Sequence, residues 1–119
     1  MKEANAAGGR HVMSDFRFET SQRSDGHLVR LFGDFDITGF KQVDDELRRL
    51  QSDGEPKLTL DLRGLTFIDS SGIRAILQAE ARARGLGRRL RLLAGPERVH
   101  KVFQITRLDD QLEFVEPED

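Results

Sequence analysis

Lys57–Leu62 constrains the fold more than any other segment, because Leu58, Leu60 and Leu62 alternate with Lys57, Thr59 and Asp61 in the two-residue period of a half-buried strand. A strand covered by helices on both sides reads as a continuous apolar run. This one therefore predicts a sheet with one lightly covered face.

The surrounding chain supplies the partners of that strand. Phe16 and Phe18 alternate with Arg17 and Glu19 across Asp15–Thr20, a turn is expected at Ser24-Asp25-Gly26, and His27–Gly33 reads as the second arm of a hairpin. A helix is expected from Thr38 as N-cap, with Phe40, Val43, Leu47 and Leu50 on one side and Lys41, Asp44, Asp45, Glu46, Arg48 and Arg49 on the other. It should end near Ser52-Asp53-Gly54, ahead of Pro56.

A second helix should open at Asp69-Ser70-Ser71-Gly72 and run to about Arg84. Ile73, Ile76 and Leu77 form its buried stripe, Ala75, Ala79 and Ala83 permit close approach, and Gly85 and Gly87 stop it. Arg89–Ala94 reads as a strand, Pro96 suits the first turn of a third helix carrying Val99, Val102 and Phe103, and Leu112–Val115 reads as a last short strand. Strands alternating with helices after a hairpin predict an α/β sheet with crossovers and an antiparallel start.

Composition narrows the function classes. The 119 residues suit one domain, expected over residues 14–119 after a flexible tail at 1–13. Charged residues make up 34 % of the chain but nearly balance, at a formal −2, so the attraction behind nonspecific nucleic-acid binding is missing. The absence of cysteine removes thiol catalysis and Cys-ligated zinc and agrees with a reducing compartment. With no apolar run long enough to span a bilayer and no signal-like apolar start, a cytoplasmic location without membrane insertion is expected. Charge is nevertheless unevenly divided: residues 1–71 carry −3, residues 72–108 carry +7 and residues 109–119 carry −6. The basic stretch is either a solvated helix face and loop or a surface for a partner.

The functional signal sits where the third strand meets the second helix. Free N–H groups and the positive end of the helix dipole favour an anionic oxygen at Asp69-Ser70-Ser71-Gly72, so a phosphate on a serine would be tolerated there. The plain alternative is that Asp69, Ser70 or Ser71 is simply the N-cap. Gly33-Asp34-Phe35-Asp36 forms a second acidic turn, and if its strand neighbours the third strand, Asp34 or Asp36 comes near Ser70. Asp36 as a helix cap is the competing reading.

Leu60 to Ile73, with its Asp69-Ser70-Ser71-Gly72 core, resembles the signature of the STAS domain, the family of bacterial anti-sigma factor antagonists. Gly33-Asp34-Phe35-Asp36 matches the family's glycine–acid–apolar–aspartate turn, and Val102 to Leu108 resembles its C-terminal helix, with Arg107 where glycine is usual. The resemblance runs from about Asp15 to Val115. It implies one STAS-type domain, a mixed sheet of four to five strands with helices mainly on one face.

For function, the resemblance implies a phosphorylation switch rather than an enzyme, with no cofactor, no metal and no catalytic residue. Ser70 would be phosphorylated by the partner, an anti-sigma factor that is itself an ATP-dependent serine kinase. The unphosphorylated protein would bind that kinase and free the sigma factor; a PP2C-type phosphatase would reset the switch. A phosphoserine adds roughly −1.5 to −2 charges. Beside Asp69, Ser71 and Gly72, and near Asp34 and Asp36, that charge would oppose docking. Arg74, Gln78 and Arg82, at i, i+4 and i+8, are expected to form one exposed ridge continuous with the serine.

Three other readings carry less support. A STAS module without a phosphorylation cycle would serve as a scaffold or interaction subunit of a larger complex. A serine hydrolase needs a base, and His11, His27 and His100 lie in the expected tail, at a strand start and in a helix, without a Gly-x-Ser-x-Gly elbow. Some family members bind purine nucleotides, but with no phosphate-loop motif any such site here would be weak.

Overall fold

The computed structural model describes residues 15–117; the expected tail at 1–13 lies outside them. Five strands form one sheet in sequence order: β1 (Arg17–Arg23), β2 (Gly26–Phe35), β3 (Lys57–Ile68), β4 (Arg89–Leu93) and β5 (Glu113–Phe114). β1 and β2 are the antiparallel hairpin, and the remaining pairings are parallel. Three helices make the crossovers, α1 (Ile37–Gln51), α2 (Ser70–Gly85) and α3 (Glu97–Ile105). Each parallel connection advances to the next strand in the same direction. Since such crossovers are right-handed, the helices collect on one face and leave the other without any among the described residues.

The main core lies on the helix side. Val29, Leu31, Leu58, Leu60, Leu62, Leu90 and Leu92 join Val43, Leu47, Ile76, Ala79, Val99 and Phe103 in one core cluster. The register sets Leu28 beside Thr59, Arg30 beside Asp61, and Arg91 and Leu93 beside Thr59 and Asp61 on the opposite face. The alternation of Lys57–Leu62 divides the two faces as expected, but the second face is not lightly covered there: Leu28, Thr59, Asp61 and Leu93 are buried as well.

β3 runs six residues past Leu62, where strict alternation stops. Two register shifts against β2, between Arg30 and Phe32 and between Gly33 and Asp34, each insert an extra β3 residue. Leu65 and Ile68 are therefore buried with Leu62 at a spacing of three, and β-bulges hide a strand from a period-two search in this way. Gly33 sits in the second shift with φ +90°, and a Cβ there would lie 2.2 Å from the Asp15 carbonyl oxygen. Only glycine fits that position. β2 accordingly continues through Gly33-Asp34-Phe35, where an acidic turn was expected.

Helix starts need one correction. Thr38 is not the N-cap of α1: Asp36 is, accepting from the Thr38 backbone N–H at 3.0 Å and from its hydroxyl at 2.6 Å. The carboxylate two residues upstream takes the Thr38 N–H, so the helix opens at Ile37. α2 is capped by Asp69, and Pro96 stands before α3. The stripe expected on α2 is buried at Ile73 and Ile76, with Leu77 only partly covered. A 3-10 turn, Leu108–Asp110, precedes β5 and is entered through Arg107 at φ 65°.

Candidate functional site

The parallel pairing of β2 and β3 ends at Phe35 and Ile68, so α1 and α2 start side by side beyond the same sheet edge. The Asp69 backbone N–H donates to the Phe35 carbonyl at 3.2 Å and ties the two exits together. Both helices are capped by an aspartate, Asp36 and Asp69, in extended backbone. Gly72 makes this closeness feasible. A Cβ there would lie 2.8 Å from Ile68 Cγ1 and 2.9 Å from the Phe35 carbonyl oxygen.

Asp69 accepts from the backbone N–H groups of Ser71 at 2.9 Å and Gly72 at 3.3 Å. This resolves which residue is the cap. Ser70, the first helical residue, is exposed, and the capping side chain is that of Asp69. Ser71 is half-buried and Gly72 buried, so of the two serines Ser70 is the more accessible.

The acidic neighbours divide into two kinds. Asp36 is bound up in capping α1. Asp34 is only 1 % exposed and accepts from the Thr66 hydroxyl at 2.5 Å, bridging β2 and β3. Its carboxylate supports the loops from within and does not contribute to the exposed surface.

The expected ridge on α2 is broken. Arg74 is exposed, with its guanidinium 5.0 Å from the centre of the Phe40 ring, a cation–π contact to α1. Gln78 is half-covered. Arg82 turns into the α1–α2 seam, where Nη1 donates to Asp44 Oδ1 at 3.2 Å and Nε to Gln51 Oε1 at 2.9 Å. Gln51 in turn donates to the Ala79 carbonyl at 2.8 Å. Burial penalises the Asp44 carboxylate, yet Arg48 and Arg82 outweigh that and hold its pKa below the ordinary value. An i+8 spacing places Arg82 on the helix face, but the acidic partner that captures it lies on another helix.

Ile37 and Phe67, 60 % and 40 % exposed, are apolar residues at the ends of these same two connections. Sequence reasoning missed them, because a phenylalanine in an apolar stretch reads as core. The cue was the register: after the bulge, Phe67 falls out of phase with Leu65 and Ile68.

A histidine base does not come near Ser70 among the described residues. His27 Nε2 lies 3.2 Å from Asp53 Oδ2 at the start of β2, the opposite sheet end. His100, on α3, packs against Phe103 and Phe114. No group of three or more acidic or histidine side chains that could hold a metal occurs among the described residues. No helix there is long and apolar enough to cross a membrane.

The family model described as Mlab, STAS domain, matches residues 18–116. The chain belongs to the STAS domain family. Its fold is similar to an anti-sigma factor antagonist from Mycobacterium paratuberculosis, with 16 % identity, 87 % of each chain covered and a TM-score of 0.78. Unphosphorylated SpoIIAA, also an anti-sigma factor antagonist, aligns at 24 % identity over 83 % of this chain and 88 % of its own, with a TM-score of 0.72. The phosphorylated form of SpoIIAA from Bacillus aligns at 24 % identity, 85 % and 91 % coverage and a TM-score of 0.65. At these identities the likeness is one of fold, a STAS domain with anti-sigma factor antagonists as its structural neighbours.

Proposed function

We propose that this STAS domain is an anti-sigma factor antagonist whose grip on an anti-sigma factor serine kinase is released by phosphorylation of Ser70. The observation that carries the reading is the capping arrangement: Asp69 takes the N–H groups of Ser71 and Gly72, and Ser70 beside it is an exposed residue. Among the structural neighbours SpoIIAA occurs in an unphosphorylated and a phosphorylated form, which makes a phosphate-dependent cycle the natural parallel.

The physics of the switch is local. A phosphate on Ser70 lies at the positive end of α2, so the helix tolerates it. It also sets a dianion next to Asp69, one loop away from Asp36. Docking then meets like charge and the desolvation of a phosphate, while the fold stays intact. Ile37, Phe67 and Arg74 form the apolar and cationic part of the docking surface. The protein acts by binding, in the cytoplasm, and a PP2C-type phosphatase restores the unphosphorylated form.

Incubation of the full chain with candidate anti-sigma factor kinases and ATP tests the acceptor. One phosphate should appear in the intact mass, map to Ser70, and vanish in Ser70→Ala. Failure of every candidate to modify the protein, or a phosphate that persists in Ser70→Ala, would contradict the reading.

A further inference from the structure

The helix-free face of the sheet holds a cavity of about 440 Å³, within the range of roughly 300–1,000 Å³ usual for small-ligand sites. Four adjacent strands each contribute one arginine to its wall: Arg23, Arg30, Arg63 and Arg91. Leu28 and Leu93, buried yet outside the helix-side core, supply an apolar floor.

The carboxylates within reach are already shared. Asp61 is held by Arg63 at 2.9 and 3.0 Å, with Arg30 3.8 Å away. Asp25 accepts from Lys57 at 3.2 Å and has Arg91 at 3.5 Å. Arg91 is the most enclosed of the four, its side chain 14 % exposed; its Nη2 donates to Thr59 Oγ1 at 3.2 Å, and its Nε is buried without a hydrogen-bond partner among the described residues. A desolvated guanidinium with an unmet N–H is costly unless an acceptor arrives.

We propose that this cavity binds a small organic phosphate monoester, its phosphate among the arginines and its apolar body on Leu28 and Leu93. One carboxylate is satisfied by a single arginine fork, whereas a phosphate dianion presents three terminal oxygens and suits several guanidinium groups. Glu116, also in the wall, is a built-in competitor for the same cations. The site lies on the face opposite α2 and does not depend on the role of Ser70.

Titration of the 15N-labelled full chain with phenyl phosphate, inorganic phosphate and benzoate at constant ionic strength tests this. Phenyl phosphate should bind tightest, moving the Arg91 Nε–H signal and the amides of Leu28 and Thr59. Arg91→Gln and Arg23→Gln should each weaken it by about tenfold, the range for a hydrogen bond to a charged group, and Glu116→Gln should tighten it. Arg98→Gln, on exposed α3 surface, should leave it unchanged. Arg23 is exposed, so its variant remains informative if Arg91→Gln does not fold. Shifts scattered over the whole surface, equal binding of benzoate, or affinity untouched in Arg23→Gln would overturn the proposal.

Discussion

The backbone N–H of Asp69 donates to the carbonyl of Phe35 at 3.2 Å, fastening the start of α2 to the end of β2. One consequence is that Asp69 has two separate duties, a backbone link and a side-chain cap. Asp69→Ala removes only the cap, and loss of such a cap costs about 1 kcal/mol. Urea unfolding should show a lowered midpoint with unchanged slope; an unchanged midpoint would mean that Ser70 or Ser71 takes over the cap.

Gly72 and Gly85, both in α2, should respond oppositely to the same substitution. A Cβ at Gly72 meets Ile68 and the Phe35 carbonyl below 3.0 Å, whereas one at Gly85 meets nothing within 4 Å among the described residues. Gly72→Ala should destabilise by about 1–3 kcal/mol through overpacking. Gly85→Ala should be neutral or stabilise by up to about 1 kcal/mol. Denaturant melts of the pair give the comparison.

Arg107 adopts φ 65° without being glycine, a conformation that costs an L-residue roughly 1–2 kcal/mol. Glycine returns part of that gain through its more flexible unfolded state. Arg107→Gly should therefore stabilise by about 0.5 kcal/mol, read as a small rise in the thermal midpoint; a fall would show that the arginine side chain makes a contact outweighing the strain.

Asp44 links acid stability to the α1–α2 seam. Burial raises its pKa, but Arg48 and Arg82 more than compensate, leaving it depressed in the folded state. A depressed carboxylate stabilises fully above its unfolded pKa of about 3.9 and loses that contribution as pH falls through the folded value. Asp61 behaves likewise: burial opposes ionisation and Arg63 prevails. Stability should thus decline below about pH 4, with a shallower slope in Asp44→Asn. Equal slopes in the two proteins would show that Asp44 is not a source of the effect.

The pattern legible in the sequence was periodic and local. Leu58, Leu60 and Leu62 carried the two faces of β3, and Val43, Leu47 and Leu50 the buried side of α1. What could not be read depended on neighbours distant in sequence. The β3 bulges appear only against β2, and Arg82 turns inward only because Asp44 and Gln51 lie on α1. Thr38 looked like a cap because hydroxyl residues favour helix starts, yet its own N–H and hydroxyl both donate to Asp36. At the candidate site, the serine loop was legible from Asp69-Ser70-Ser71-Gly72 alone. The burial of Asp34 and the exposure of Phe67 were not, since both follow from register.

The most direct test of the Ser70 switch is the affinity of one anti-sigma factor kinase for the unphosphorylated protein, its Ser70-phosphorylated form and Ser70→Asp, with circular dichroism confirming a common fold. Like charge at an interface costs several kcal/mol, so phosphorylation should weaken binding by about a hundredfold or more, with Ser70→Asp in between. Equal affinity for all three would contradict a phosphate-controlled antagonist.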